Sequence, residues 1–174
     1  MVNYRRALVP GGTFFFTVAL QDRSQDTFVR YIDDLQQAFR ETKAKHPWQT
    51  NAIVVLPEHL HALWTLPEGD TDYSGRWRAI KSKFVRRLRR ASALVRTNSK
   101  GDADVWQRRF WEHAIRDDAD FARHVDYIHI NPVKHGHVAR ATDWRWSSIH
   151  RFVERGVVAP DWAADTLDGS GFGE

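Results

Sequence analysis

The chain has 174 residues, 42% of them hydrophobic and 13% aromatic; this suits one folded domain and excludes disordered, collagen-like and low-complexity chains. Its 26 Lys and Arg against 22 Asp and Glu leave a net charge of +4, and it contains no Cys. Disulfide scaffolds, thiolate zinc sites and cysteine nucleophiles are therefore excluded together, and the composition fits a reducing, cytoplasmic setting.

Thr13–Leu20 follows the turn Pro10-Gly11-Gly12 and is rich in aromatic and β-branched residues, so it reads as a buried strand. It lacks a cleavage site, and no apolar run approaches the roughly 20 residues that cross a bilayer, so no signal peptide or membrane span is expected. From Asp26 the positions Phe28, Val29, Ile32, Leu35 and Phe39 recur at helical spacing, predicting a helix that ends near Lys45 before Pro47. Ala52–Leu56 and His59–Leu66 read as a hairpin of two strands turning at Pro57-Glu58.

Next comes a basic helix from about Ser74 to Val95, with Trp77, Ile80, Phe84, Leu88 and Leu94 as its apolar stripe. Arg76 to Lys100 carries ten bases and no acid, so the rest of the chain sums to −6. Such a run lacks the i,i+4 acid partners of an ordinary solvated face and points to a polyanion, although a solvated basic face is the plainer reading. Val105–Ile115 reads as a fourth strand, and Asp117 and Asp118 cap a helix that runs to about Ile130, where Pro132 ends it. A short helix is expected after Trp146-Ser147-Ser148, and residues 165–174 as a loose tail. Strand, helix, strand, strand, helix, strand is the ferredoxin-like α+β order: an antiparallel sheet with helices on one face and the other open to a ligand.

His59-Leu60-His61 carries the most chemical information. Alternation on a strand places both imidazoles on one side, about 7 Å apart at Cα, where two rings can grip one cation. As a bare spacing this is equally a pair of surface histidines, and the similar His135-Gly136-His137 reads as a structural turn after Asn131-Pro132. On the helix beginning near Asp118, His124, Tyr127 and Asn131 group beside the core stripe Phe121, Val125 and Ile128. Tyr127 there is either a half-buried packing residue or a nucleophile.

These residues stand in an ordered set of motifs: Tyr4-Arg5-Arg6, Pro10-Gly11-Gly12-Thr13-Phe14-Phe15-Phe16-Thr17, Leu56-Pro57-Glu58-His59-Leu60-His61-Ala62-Leu63-Trp64, Trp106-Gln107-Arg108-Arg109-Phe110-Trp111-Glu112-His113 and Tyr127-Ile128-His129-Ile130-Asn131-Pro132-Val133-Lys134. Over nearly its whole length the chain resembles the REP-associated tyrosine transposases, single-tyrosine members of the HUH nucleases (His, hydrophobic residue, His). The resemblance implies His59 and His61 as metal ligands, Asn131 as a third, and Tyr127 as nucleophile. It implies Mg²⁺ or Mn²⁺ as cofactor, and as substrate single-stranded DNA folded into the imperfect hairpins of repetitive extragenic palindromes. Such a protein would work on the bacterial nucleoid. Arg5, Arg6, Arg76, Arg78, Lys81, Lys83, Arg86 and Arg87 are the expected DNA contacts, with His113, Gln107 and Glu112 as further candidates to support the site or to pack.

The chemistry fits the residue types. An ordinary tyrosine, with a pKa of about 10, is phenolate in only about one molecule in a thousand at neutral pH, so it needs activation and a polarised phosphate. Two other functions compete: a non-catalytic ferredoxin-like module that binds nucleic acid on its open sheet face, and a metal-dependent hydrolase with water as nucleophile.

Overall fold

The computed structural model describes residues 7–162; Arg5, Arg6 and the tail from residue 165 lie outside them. Alternation along β1 (Thr13–Ala19) sends Phe14, Phe16 and Val18 to one side and Phe15 and Thr17 to the other. Two apolar layers form on this division. The larger is closed by α1 (Thr27–Arg30), α2 (Ile32–Lys45) and α3 (Tyr73–Arg90). Its centre is aromatic: Trp64 and Trp77 stack with ring centroids 4.4 Å apart, and Trp48 and Phe16 close on them.

β2 (Gln49–Val55), β3 (His59–Thr65), β1 and β4 (Trp111–Ala114) form one antiparallel sheet in the order β2-β3-β1-β4, as the ferredoxin-like sequence of elements requires. Register fixes the site's foundations, because Thr17 lies opposite His61 on one side and opposite Trp111 on the other. Directly opposed residues of an antiparallel pair share a face, so His61, Thr17 and Trp111 form a row across three strands.

The sheet's second face is partly covered. α4 (Asp118–Lys134) packs there, with Val125 and Ile128 against Phe15, Ala52, Val54 and Leu63, and α5 (Ile149–Glu154) follows a 3-10 turn at Ala141–Asp143. Asp117 caps α4 by accepting from the Asp120 amide at 2.7 Å. Among the described residues no helix is long and apolar enough to cross a membrane.

Four boundaries differ from the periodicity reading. The basic helix ends at Arg90, short of Val95, where Ser92 takes a positive φ of 57°, and Leu94 is 90% exposed instead of joining its apolar stripe. The first helix breaks at Tyr31, its opening turn held by the Phe28 amide donating to Pro57 O and by Phe28 burying against Trp106. The fourth strand is four residues long. Around Trp106 the chain makes only an isolated bridge to Leu20, and Lys81 Nζ takes the Gln107 carbonyl at 2.8 Å. Finally, α4 does not stop before Pro132 but runs through it to Lys134. A proline so near a helix end removes one amide donor and leaves the last turn intact.

Candidate active site

β3 delivers His59 and His61 to the face covered by α4, and both are buried. Their ring centroids are 4.9 Å apart, and the Tyr127 ring lies 5.1 Å from that of His61. Each histidine has one nitrogen fixed from behind. His61 Nδ1 is 2.9 Å from Thr17 Oγ1, and His59 Nδ1 is 2.8 Å from the Glu58 carboxylate, which Arg23 also contacts at 3.2 Å. A proton on each Nδ1 satisfies both contacts and leaves Nε2 of His61 as a free lone pair.

Asn131 comes to the same place because α4 continues through Pro132, holding Tyr127 and Asn131 at i,i+4 on one helix face. It is fully buried, and its amide lies by the His59 ring without a well-formed hydrogen bond on either Oδ1 or Nδ2; His61 Nε2 is unpartnered among the described residues. Buried polar atoms are nearly always satisfied, and an unpartnered imidazole nitrogen and amide oxygen around His59 have the donor chemistry of a cation site. These residues could hold a metal ion.

Electrostatics keep the rings ready for that role. Burial pushes His61 well below the ordinary histidine value, helped by positive charge at His59, His135 and Lys134. His59 is lowered by burial too, against the pull of Glu58 and, more weakly, of the Asn131 amide. Neutral imidazoles are the ligating form.

The cleft over these groups, about 300 Å³, is lined by Thr17, Arg23, Trp111 and His135 besides the two histidines and Tyr127. Tyr127 is half-buried, edge-on to Phe15 at 5.8 Å, with Lys134 Nζ 5.1 Å from its ring centre. A second cluster lies nearby on the same face: His113, Asp120 and His124 place ligand atoms within 4.8 Å of one another. There, however, Asp120 already accepts from His113 Nε2 at 2.8 Å, from Arg116 Nε at 3.3 Å and from Arg123 at 3.2 Å. Burial works against its charge, and His113 and Arg116 more than compensate, holding the carboxyl well below the usual range. That cluster is a satisfied ion-pair network, whereas the His59–His61–Asn131 group has donors to spare.

No family model matches the chain. It is 48% identical over 168 residues to the REP-associated tyrosine transposase of Escherichia coli (strain K12), covering 97% of this chain and 94% of that protein. The chain belongs to the REP-associated tyrosine transposases. A relative from Haemophilus influenzae, provisionally named for the same family, is 43% identical over 95% of both chains. Among solved structures, a REP-associated tyrosine transposase bound to a REP hairpin superposes with a TM-score of 0.84 at 45% identity, covering all of this chain and 98% of that one. Membership of this transposase family implies use of a divalent metal ion, and the orphaned His61 Nε2 and Asn131 Oδ1 are donors that fit one.

The basic helix lies on the opposite face of the sheet from this cleft, and its bases divide into two sets. Arg76 is buried, held by Asp70 at 2.6 Å and by the carbonyls of His46, Pro47 and Asp72, so it offers nothing to a polyanion. Arg87 is engaged by Glu41 and Asp34, and Lys81 by the Gln107 carbonyl. Arg78, Arg86, Arg89 and Arg90 are exposed, with Lys83 half-exposed. Arg86 and Arg89 line a groove of about 710 Å³ with Lys100, Arg108 and Gln21, two residues from the Arg23 of the cleft.

Of the residues considered as supports, His113 shares the site's face, while Glu112 is buried on the other, where Tyr73 Oη donates to it at 3.2 Å. Sequence reasoning missed Thr17, Arg23, Trp111 and His135. For His135 a signal existed: residues 127, 131 and 135 stand at successive i,i+4 positions, and its ring is 5.0 Å from that of His59.

Proposed function

We propose that the chain is a metal-dependent single-stranded DNA endonuclease and strand transferase that cuts beside REP-type hairpins, with Tyr127 as nucleophile and His59, His61 and Asn131 as ligands of Mg²⁺ or Mn²⁺. The observation that carries this reading is the grouping of His59, His61 and Tyr127 on one cleft, with His61 Nε2 buried and unpartnered beside the Tyr127 ring. Imidazole nitrogen favours Mn²⁺ and the neutral amide oxygen suits either ion. Bound there, the ion would neutralise charge on a phosphate oxygen and hold the phosphorus for in-line attack.

The remaining work falls to the chain's own groups. Tyr127 Oη loses its proton and forms a bond to phosphorus; the bond from phosphorus to the 3′ oxygen breaks, and that oxygen takes up one proton to leave as a free 3′-OH, so the step moves one proton net from the phenol to the leaving oxygen. The phosphodiester's energy is kept in a 5′-phosphotyrosine, so rejoining needs no nucleotide triphosphate. Lys134, over the Tyr127 ring, and Arg23, at the cleft's edge, place positive charge where negative charge gathers. The groove lined by Arg86, Arg89, Lys100 and Arg108 would carry the hairpin's phosphates towards the cleft by way of Gln21 and Arg23. Such a substrate places the protein with chromosomal DNA in the cytoplasm.

A non-catalytic module would give two orphaned buried ligand groups no purpose, and their desolvation costs free energy. The test is cleavage of end-labelled hairpin DNA with Mn²⁺ or Mg²⁺, read on a denaturing gel. Wild type should nick the strand and retain a covalent protein–DNA band. His59→Ala and His61→Ala should lose both while binding hairpin within about two-fold of wild type, because phosphate contacts dominate affinity. Wild-type cleavage by either variant would place the metal elsewhere.

A further inference from the structure

Every tryptophan in the described residues is buried or half-buried except Trp111, which is 50% exposed. Exposing half an indole forfeits apolar burial of the kind the other tryptophans gain, so its position calls for a reason. Trp111 lines the cleft that holds His59, His61 and Tyr127. Through Thr17 it sits in the same cross-strand row as His61, two strand spacings away, or about 10 Å.

The indole is also held rigidly. Behind it the His113 ring lies parallel, with an interplanar angle of 6° and centroids 6.0 Å apart, and His124 stacks on His113 at 4.9 Å. His113 is itself fixed by the Asp120 carboxylate at 2.8 Å. Phe15 meets the indole edge-on at 5.7 Å, and the same Phe15 packs against the rings of His61 and Tyr127. A flat, wet-faced ring braced by a stack of imidazoles presents one surface to the cleft. A planar aromatic ligand fits it, and beside a phosphate-cutting centre that ligand is a nucleobase.

We infer that Trp111 is a stacking platform for the unpaired base next to the scissile phosphate, backed by His113 and His124, and that it sets where along the strand the phosphate meets Tyr127. This rests on the cleavage reading above. Stacking on the π-face tolerates any base, so the platform would fix register while base identity is read by other groups.

The test separates the two readings by measuring binding without cleavage. In a Tyr127→Phe background, hairpin DNA carries 2-aminopurine at each unpaired position flanking the cut in turn. One position should lose fluorescence on binding; the loss should vanish with Trp111→Ala and persist with Trp111→Phe. With Tyr127 restored, Trp111→Ala should raise the half-saturating DNA concentration roughly ten-fold, the low end for base-on-aromatic stacking. On DNA made abasic at that position, Trp111→Ala and wild type should coincide. Trp111→Leu, which keeps an apolar side chain on β4, repeats the comparison if the alanine protein folds poorly. Unchanged quenching at every flanking position in Trp111→Ala, or an equal handicap on intact and abasic DNA, overturns the platform. Because quenching is read in a cleavage-dead protein, failure of the nuclease reading would not mimic that result.

Discussion

Thr17 Oγ1 lies 2.9 Å from His61 Nδ1, and that contact decides which nitrogen of the ring keeps a lone pair. Thr17→Val, close in shape, would delete the hydroxyl and free the ring to turn or change tautomer. Outer-shell partners of this kind typically contribute ten- to hundred-fold in metal affinity. A Mn²⁺ titration of the variant should show a loss in that range with hairpin affinity in EDTA unchanged; unaltered Mn²⁺ affinity would mean that Thr17 does not orient His61. At this scale the sequence is uneven. Alternation on a strand reveals that His59 and His61 share a face, and helix periodicity groups Tyr127 with Asn131. Thr17 and Trp111 reach the site only through pairing of β1 with β3 and β4, and Arg23 through its contact with Glu58 beyond the end of β1; no local pattern encodes such long-range partners. His135 was hidden by reading Pro132 as a helix stop.

α4 carries the proposed nucleophile Tyr127, the Asn131 amide and one wall of the second core, so its anchoring governs the cleft. His129, two residues before Asn131, turns away from the cleft; it is buried, with Nε2 2.9 Å from Ser148 Oγ and its ring 4.6 Å from that of Phe152. Burial, with the charges of Arg151 and His150, lowers its pKa to about 4 from 6.5. Between those values the unfolded chain binds a proton that the folded chain refuses, so stability is complete above about pH 6.5 and falls as the pH drops towards 4. The share belonging to His129 is on the order of 3 kcal/mol. Denaturant unfolding of His129→Gln, whose amide can still reach Ser148, should show a shallower loss of stability over that window; a slope equal to that of wild type would contradict the assignment. Helices and strands were legible wherever period and burial agree, as in α2, α3 and β3. The fourth strand was read too long because Trp106 and Phe110 are apolar for another reason: they pack with Lys81 beneath α3.

Across the whole molecule the sheet separates two surfaces, with the histidine-lined cleft under α4 and exposed base along α3. The run of ten bases looks uniform in sequence, yet folding commits Arg76, Arg87 and Lys81 to internal partners. On a log-log plot of affinity for unpaired DNA against salt, each lost phosphate contact should flatten the slope by about 0.7. Removing charge at Arg86 and Arg89 together should do so, while Arg76→Ala should lower the melting temperature and leave the slope in place. The reverse pattern would put the nucleic acid on another surface. Groove, cleft and tyrosine together make one claim, that the strand is cut by the protein itself, and peptide mapping of the covalent complex tests it most directly. Tyr127→Phe keeps the ring against Phe15 and removes only the hydroxyl, so the protein should fold, bind Mn²⁺ and bind hairpin DNA. The account predicts that wild type carries its 5′-phosphate adduct on Tyr127 and that Tyr127→Phe gives neither adduct nor nicked strand. An adduct on another tyrosine, or a nick made by Tyr127→Phe, would contradict it.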